Sequence, residues 1–102
     1  MHKILKYNKS MSKTSYKELY EFLSRIDNPK DMQGLFDDLC TYKEIEQFSQ
    51  RLKAARLLME GKTYEQVIKE TDISSATLSR VSRCVKYGKG YSRLIGIKKD
   101  NQ

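Results

Sequence analysis

The sequence predicts an all-α fold, and three observations lead to it. Apolar side chains recur at spacings of three and four along most of the chain, the repeat of helices that each bury one face. One proline and five glycines in 102 residues are too few for a turn-rich β fold or a low-complexity linker. Two stretches, Thr41-Tyr42-Lys43-Glu44 and Thr63-Tyr64-Glu65-Gln66, have the capping-box form that starts a helix. The length suits one domain with one core.

The elements follow in order. The opening decapeptide MHKILKYNKS is polar and precedes a second methionine, Met11, so residues 1–13 read as a flexible arm and either Met1 or Met11 can be the start. From Thr14 to Ile26, the side chains Tyr16, Leu19, Tyr20, Phe22, Leu23 and Ile26 form one helical face. Asn28-Pro29 ends that helix, and Pro29, with its fixed φ and no N–H to satisfy, suits the first position of the next. Met32, Leu35, Phe36 and Leu39 mark the buried side of this short second helix. The capping box at Thr41 then opens a long helix that forms the spine. It carries Ile45, Phe48, Leu52, Ala55 and Met59 on one stripe, broadened by Ala54, Leu57 and Leu58, and Gly61 stands where a cap of positive φ belongs.

The box at Thr63 starts a short helix with Val67, Ile68 and Thr71. Asp72-Ile73-Ser74 reads as a three-residue turn, with Ser74 the N-cap of a helix from Ser75 to about Lys86. Two short helices on a tight turn predict a helix-turn-helix over residues 63–86. Gly88 and Gly90 close the last strong helix, Tyr91 to Ile97 adds a turn or two, and residues 96–102 read as a flexible basic tail that frays at KKDNQ. The domain is thus placed at 14–95.

Charge separates the two halves. Twenty Lys and Arg against thirteen Asp and Glu give +7 and an isoelectric point near 9.4, which calls for an anionic partner, nucleic acid before a membrane surface. Residues 1–50 hold eight bases and eight acids, so the whole excess is C-terminal. Between Asp72 and Asp100 there is no carboxylate, while Arg80, Arg83, Lys86, Lys89, Arg93, Lys98 and Lys99 accumulate. So one-sided a run argues against charges scattered only for solubility.

Other classes find little support. Cys40 and Cys84 are too few for a disulfide scaffold and lack metal-ligand spacing, and His2 is the one histidine, so no metal site is expected. Neither a membrane-length apolar run nor a signal-peptide core is present, which implies a cytoplasmic protein with reduced thiols. No Gly-rich phosphate loop or nucleophile–base motif is recognisable, so no enzymatic activity is expected.

The helix after Ser74 carries the chemistry. At 3.6 residues per turn, Leu78, Val81 and Val85 fall at about 300°, 240° and 280° from Ser75, while Ser75, Ser79, Ser82, Arg83 and Lys86 fall within roughly 340° to 80°. One wall is apolar and the other is small at its front and basic at its rear. A small front lets the helix approach the major groove, and arginine can read guanine or grip phosphate. Ser75, Ala76, Ser79 and Arg83 are placed nearest the bases and Lys69, Arg80, Lys86 and Lys89 near phosphates, with the cap Ser74 also on the DNA-binding face.

The stretch from Thr41 through Lys86, densest at GKTYEQVIKETDISSATLSRVSR and strongest in ISSATLSR, resembles the bacterial Trp repressor family and its Trp-repressor-like relatives of the YerC/YecD type in Gram-positive bacteria. The resemblance covers most of residues 14–95. It implies a Trp-repressor-like helical bundle, an intertwined homodimer whose N-terminal helices interlock, and one helix-turn-helix per chain on double-stranded DNA. The implied function is a sequence-specific transcriptional repressor, with L-tryptophan as a possible corepressor. For that ligand, Thr41 matches the pocket threonine, Arg51 and Arg80 the two arginines that bracket the indole, and Thr77 the threonine on the reading helix. Val81 stands where the family has glycine, so a branched side chain enters the space of the indole. Cys84 replaces a serine that meets the amino group and offers only a weak hydrogen-bond partner. Phosphate contact or a structural ion pair is the plainer reading of Arg51 and Arg80. The competing function, from another class, is a helical module whose basic tail binds an acidic protein or RNA.

Overall fold

The computed structural model describes residues 16–100, and side chains as far as residue 96. The arm expected over 1–13 and the last two residues lie outside the described residues. The first helix, α1, is followed to residue 23; then come α2 (Pro29–Leu39), α3 (Tyr42–Met59), α4 (Tyr64–Thr71), α5 (Ser75–Tyr87) and α6 (Gly90–Asp100). No described residue lies in a strand, and no described helix is long and apolar enough to cross a membrane. The chain forms two compact units that meet in sequence at Cys40 and Thr41, where the sequence suggested one.

In the first unit α1 ends at residue 23, three residues before the expected Ile26. The amides of Arg25 and Ile26 bond back three residues, to Phe22 and Leu23, which tightens the chain into a turn. The cause lies just downstream: Asn28 precedes a proline and is therefore held extended, at φ −143° and ψ 151°. Asn28 then caps α2, its Oδ1 accepting from the Asp31 amide at 2.8 Å. Nothing in α2 is fully buried; Met32, Leu35 and Phe36 are half-buried, and Leu39, expected inside, is exposed. Two short helices have too little surface to enclose a core.

The second unit holds the core. Both capping boxes form as expected: Glu44 and Gln66 donate their amides to the hydroxyls of Thr41 and Thr63, and their side chains accept from the Thr41 and Thr63 amides at 2.9 Å. Gly61 adopts φ +95° beyond the end of α3, where the Lys62 amide reaches the Leu57 carbonyl and the Gly61 amide that of Leu58. This double bond pattern needs a left-handed residue, which glycine supplies without a Cβ clash. Ala54, Ala55 and Leu57 of α3, Val67 of α4, Ile73 of the turn and Leu78 and Val81 of α5 form the buried cluster, with Leu58, Ile68, Val85, Tyr91 and Ile95 packed around it. Each fully buried large side chain here, Leu78, Val67 and Val81, contributes about 1.5–3 kcal/mol.

The stripe expected on α3 is only partly the one that is buried. Ala54, Ala55 and Leu57 face the core, while Phe48 and Leu52 of the same stripe are exposed, Leu52 by 54%. Apolar side chains span too wide an arc of α3 for α4, α5 and α6 to cover, because each flanking helix shields only part of a cylinder. α6 continues to Asp100, past the expected Ile97 and into the segment read as a tail.

Candidate nucleic-acid interface

The geometry of α4 against α5 is set by the last residue of α4 and the three turn residues after it. The buried Thr71 hydroxyl donates to the Val67 carbonyl at 2.7 Å and accepts from the Ile73 amide at 3.3 Å. Asp72 takes the left-handed conformation, φ 60° and ψ 22°, and its amide donates to the Ile68 carbonyl. Ile73 is anchored in the core. Ser74 caps α5, its Oγ accepting from the Thr77 amide at 3.1 Å and donating to Thr77 Oγ1 at 2.9 Å. The result is a helix, a tight turn and a helix, with the angle fixed at every link. The turn and its cap are legible in the sequence, whereas the anchor is not. Its signal was an isoleucine between two polar turn residues.

The two walls of α5 separate as the spacing requires. Leu78 and Val81 are 0% and 2% exposed and Val85 is half-buried, whereas Ser75, Ala76, Ser79, Arg80, Arg83, Lys86 and Tyr87 are exposed. On the helical wheel the exposed positions run continuously over about 0° to 140°. Ser82, expected on the outer wall, is instead 7% exposed. At roughly 340° it adjoins Leu78, and because α3, α4 and α6 all pack against α5 the buried wall is broader than its apolar residues suggest.

The exposed arc has one sign of charge. α5 contains no acidic residue, and Lys69 in the last turn of α4 and Lys89 just beyond α5 are exposed as well. Among the described residues the ion pair within 4.0 Å is Arg56 with Glu60, at 3.9 Å and exposed. Lys69, Arg80, Arg83, Lys86 and Lys89 therefore form no ion pair among the described residues, and neither does Arg51. Such a surface is complementary to a row of phosphates, whose own charge is nowhere offset by the protein. One exposed aromatic, Tyr87, shares the arc and was not singled out from the sequence.

The residues matched to a ligand pocket do not all converge within the chain. Arg51 and Thr77 line a cavity of about 210 Å³ with Gln47, Gln50, Ile73 and Ser74. The Arg51 guanidinium also lies over the Phe48 ring, 5.7 Å from its centre. Cys84 faces a different, more apolar hollow of about 470 Å³, with Leu52, Tyr91, Leu94 and Ile95. Val81 belongs to the core, Arg80 points into solvent on the basic arc, and the Thr41 hydroxyl is engaged with Glu44 at the start of α3. Along α5, Thr77, Arg80, Val81 and Cys84 fall within about 100°, but different neighbours meet them: α3 and the turn at Thr77, the start of α6 at Cys84, the core at Val81 and solvent at Arg80.

Comparison with known proteins bears on this arrangement. The profile of the Trp repressor protein family matches residues 14–95. The chain belongs to the Trp repressor family. A relative in the family, the uncharacterised protein YerC of Bacillus subtilis (strain 168), is 48% identical over 75 residues, which span 71% of this chain and 72% of YerC. Two crystal structures superpose with TM-scores of 0.80. One, of a candidate Trp repressor from Staphylococcus aureus, is 33% identical and covers 84% of this chain and 87% of its own. The other, of a TrpR-like protein from Eubacterium eligens, is 32% identical and covers 84% and 90%. The all-α bundle is the Trp-repressor-like fold that the sequence predicted, and family membership supports a DNA-binding regulatory role.

Proposed function

We propose that this chain is a sequence-specific DNA-binding transcriptional regulator, a repressor working in the cytoplasm as a homodimer on duplex DNA, by binding and not by catalysis. The observation that carries the reading is the exposed arc of α5: small at Ser75, Ala76 and Ser79, basic at Arg80, Arg83 and Lys86, free of acidic residues, and backed by a buried wall. The small front allows the helix N-terminus to reach base edges. Arg83 reads bases, and Lys69, Arg80, Lys86 and Lys89 grip phosphates.

Dimerisation is supported by what one chain leaves uncovered. Phe48 and Leu52 of α3 and Leu94 of α6 are exposed, Leu94 by 66%. Among the described residues, the first unit has no fully buried side chain. Helices of this kind are stabilised when a second copy covers them, and two-fold symmetry then presents two α5 helices to half-sites one helical turn apart, about 34–36 Å.

The separation of Arg51 and Thr77 from Val81 and Cys84 supports DNA binding that does not require L-tryptophan. Titration calorimetry checks this point, and a stoichiometric, micromolar heat with L-tryptophan would refute it. The main reading is tested by selecting bound duplexes from random sequence. Enrichment of a palindrome with the stated half-site spacing is the expected result; recovery of sequences no different from the starting pool overturns it and favours a protein- or RNA-binding module.

A further inference from the structure

We infer that Tyr87 is a DNA-backbone contact, its phenol hydroxyl donating to a phosphate at the edge of the groove that α5 enters. The inference rests on the proposed role of α5 and adds to it a neutral contact that charge counting does not reveal.

Placement comes first. Tyr87 lies at about 120° on the wheel, between Arg83 at about 80° and Arg80 at about 140°, so it continues the exposed arc into the last turn. Its distance along the helix axis from Ser75 is about 18 Å. A major groove is about 12 Å wide. A helix whose N-terminal residues meet base edges therefore carries its last turn, with Lys86 and Tyr87, beyond the groove floor to the sugar-phosphate ridge.

The side chain has no internal use. Tyr87 is 82% exposed, although a large aromatic ring is costly to leave in water. It is absent from the residues packed against the core, and no hydrogen bond or ring contact links it to another described residue. Arg83, four residues earlier and adjacent on the helix surface, does not stack on it; the cation–ring pairs of the described residues are Arg25 with Phe22 and Arg51 with Phe48. Neither packing nor stacking within the chain explains an aromatic residue here. A phenol one turn from Arg83, on a surface facing phosphates, has an acceptor at hand, and tyrosine is among the side chains that bond phosphate oxygens.

A neutral donor displaces no condensed counterion, which separates it from a lysine. The test is duplex affinity, on the selected site, from 50 to 200 mM salt for wild type, Lys86→Ala, Tyr87→Phe and Tyr87→Ala. Tyr87→Phe keeps the ring and removes only the hydroxyl. With two copies per dimer it should bind about tenfold more weakly, at an unchanged slope of log K against log salt, while Lys86→Ala makes the slope shallower. Tyr87→Ala should bind no better than Tyr87→Phe. Wild-type affinity for Tyr87→Phe, alongside weakened Lys86→Ala, overturns the contact and leaves the reading of α5 standing. A shallower slope for Tyr87→Phe also overturns it, and absence of wild-type duplex binding overturns the reading of α5 itself.

Discussion

Replacing Lys86 by alanine tests the basic arc most directly, because its effect can be worked out beforehand. Lys86 is exposed in the last turn of α5, without an ion pair among the described residues, so its ammonium is available to phosphate. Lys69, Arg80, Lys86 and Lys89 supply four contacts per subunit, and a dimer doubles them to about eight, which gives a slope of about −7 for log K against log salt. Removing two contacts per dimer should bring the slope to about −5. Between 50 and 200 mM salt the wild type should therefore lose about 10⁴ in affinity and the variant nearer 10³.

Fold stability should change little, since a cation in the last helical turn contributes only about 0.3–1 kcal/mol. Fluorescence anisotropy of a labelled duplex, titrated at four salt concentrations, measures both slopes. Arg83→Ala is the companion: it should narrow the preference for the selected site over random sequence by about 1–3 kcal/mol. Equal slopes for wild type and Lys86→Ala, or an Arg83→Ala that weakens all sequences alike, would show that the assigned face is wrong.

Three other outcomes follow from the packing. Leu78→Ala should cost about 3–5 kcal/mol in urea denaturation, because Leu78 is wholly enclosed in the core; a loss below 1 kcal/mol would mean the site is not close-packed. Gly88→Ala should destabilise by about 1–3 kcal/mol, since its Cβ would lie 2.6 Å from the Cys84 carbonyl oxygen, a backbone atom that cannot step aside without unwinding the end of α5; an unchanged melting temperature would contradict this. Leu52→Lys places a charge on an exposed apolar position of α3 and should convert the dimer to monomer in sedimentation while leaving the helical circular dichroism largely intact. A variant that remains dimeric would remove this face from the interface.

Legibility in the sequence followed locality. Thr41, Thr63, Asn28 and Ser74 act on amides three residues away, and Gly61 on carbonyls of the turn before it, so the caps could be read from neighbours alone. The reading wall of α5 was likewise open to inspection, because helical phase determines which of its side chains share a face. Ser82 was misplaced because its burial depends on three other helices and not on its own polarity. Phe48, Leu52 and Leu39 were misplaced in the opposite direction: apolar character says that a side chain should be covered, not by what. Tyr87 carries no such local signal, because tyrosine is intermediate in its tendency to be buried.

By itself the sequence determined the all-α class, the helix starts, the turn before Ser74 and the one-sided charge, all set by interactions within a few residues or by simple composition. Tertiary structure alone decided which wide apolar arcs are enclosed and which stay open, and that Arg51 and Thr77 share a cavity while Val81 and Cys84 do not. Those outcomes depend on how helices distant in sequence divide a limited surface among themselves, and no local spacing encodes that division.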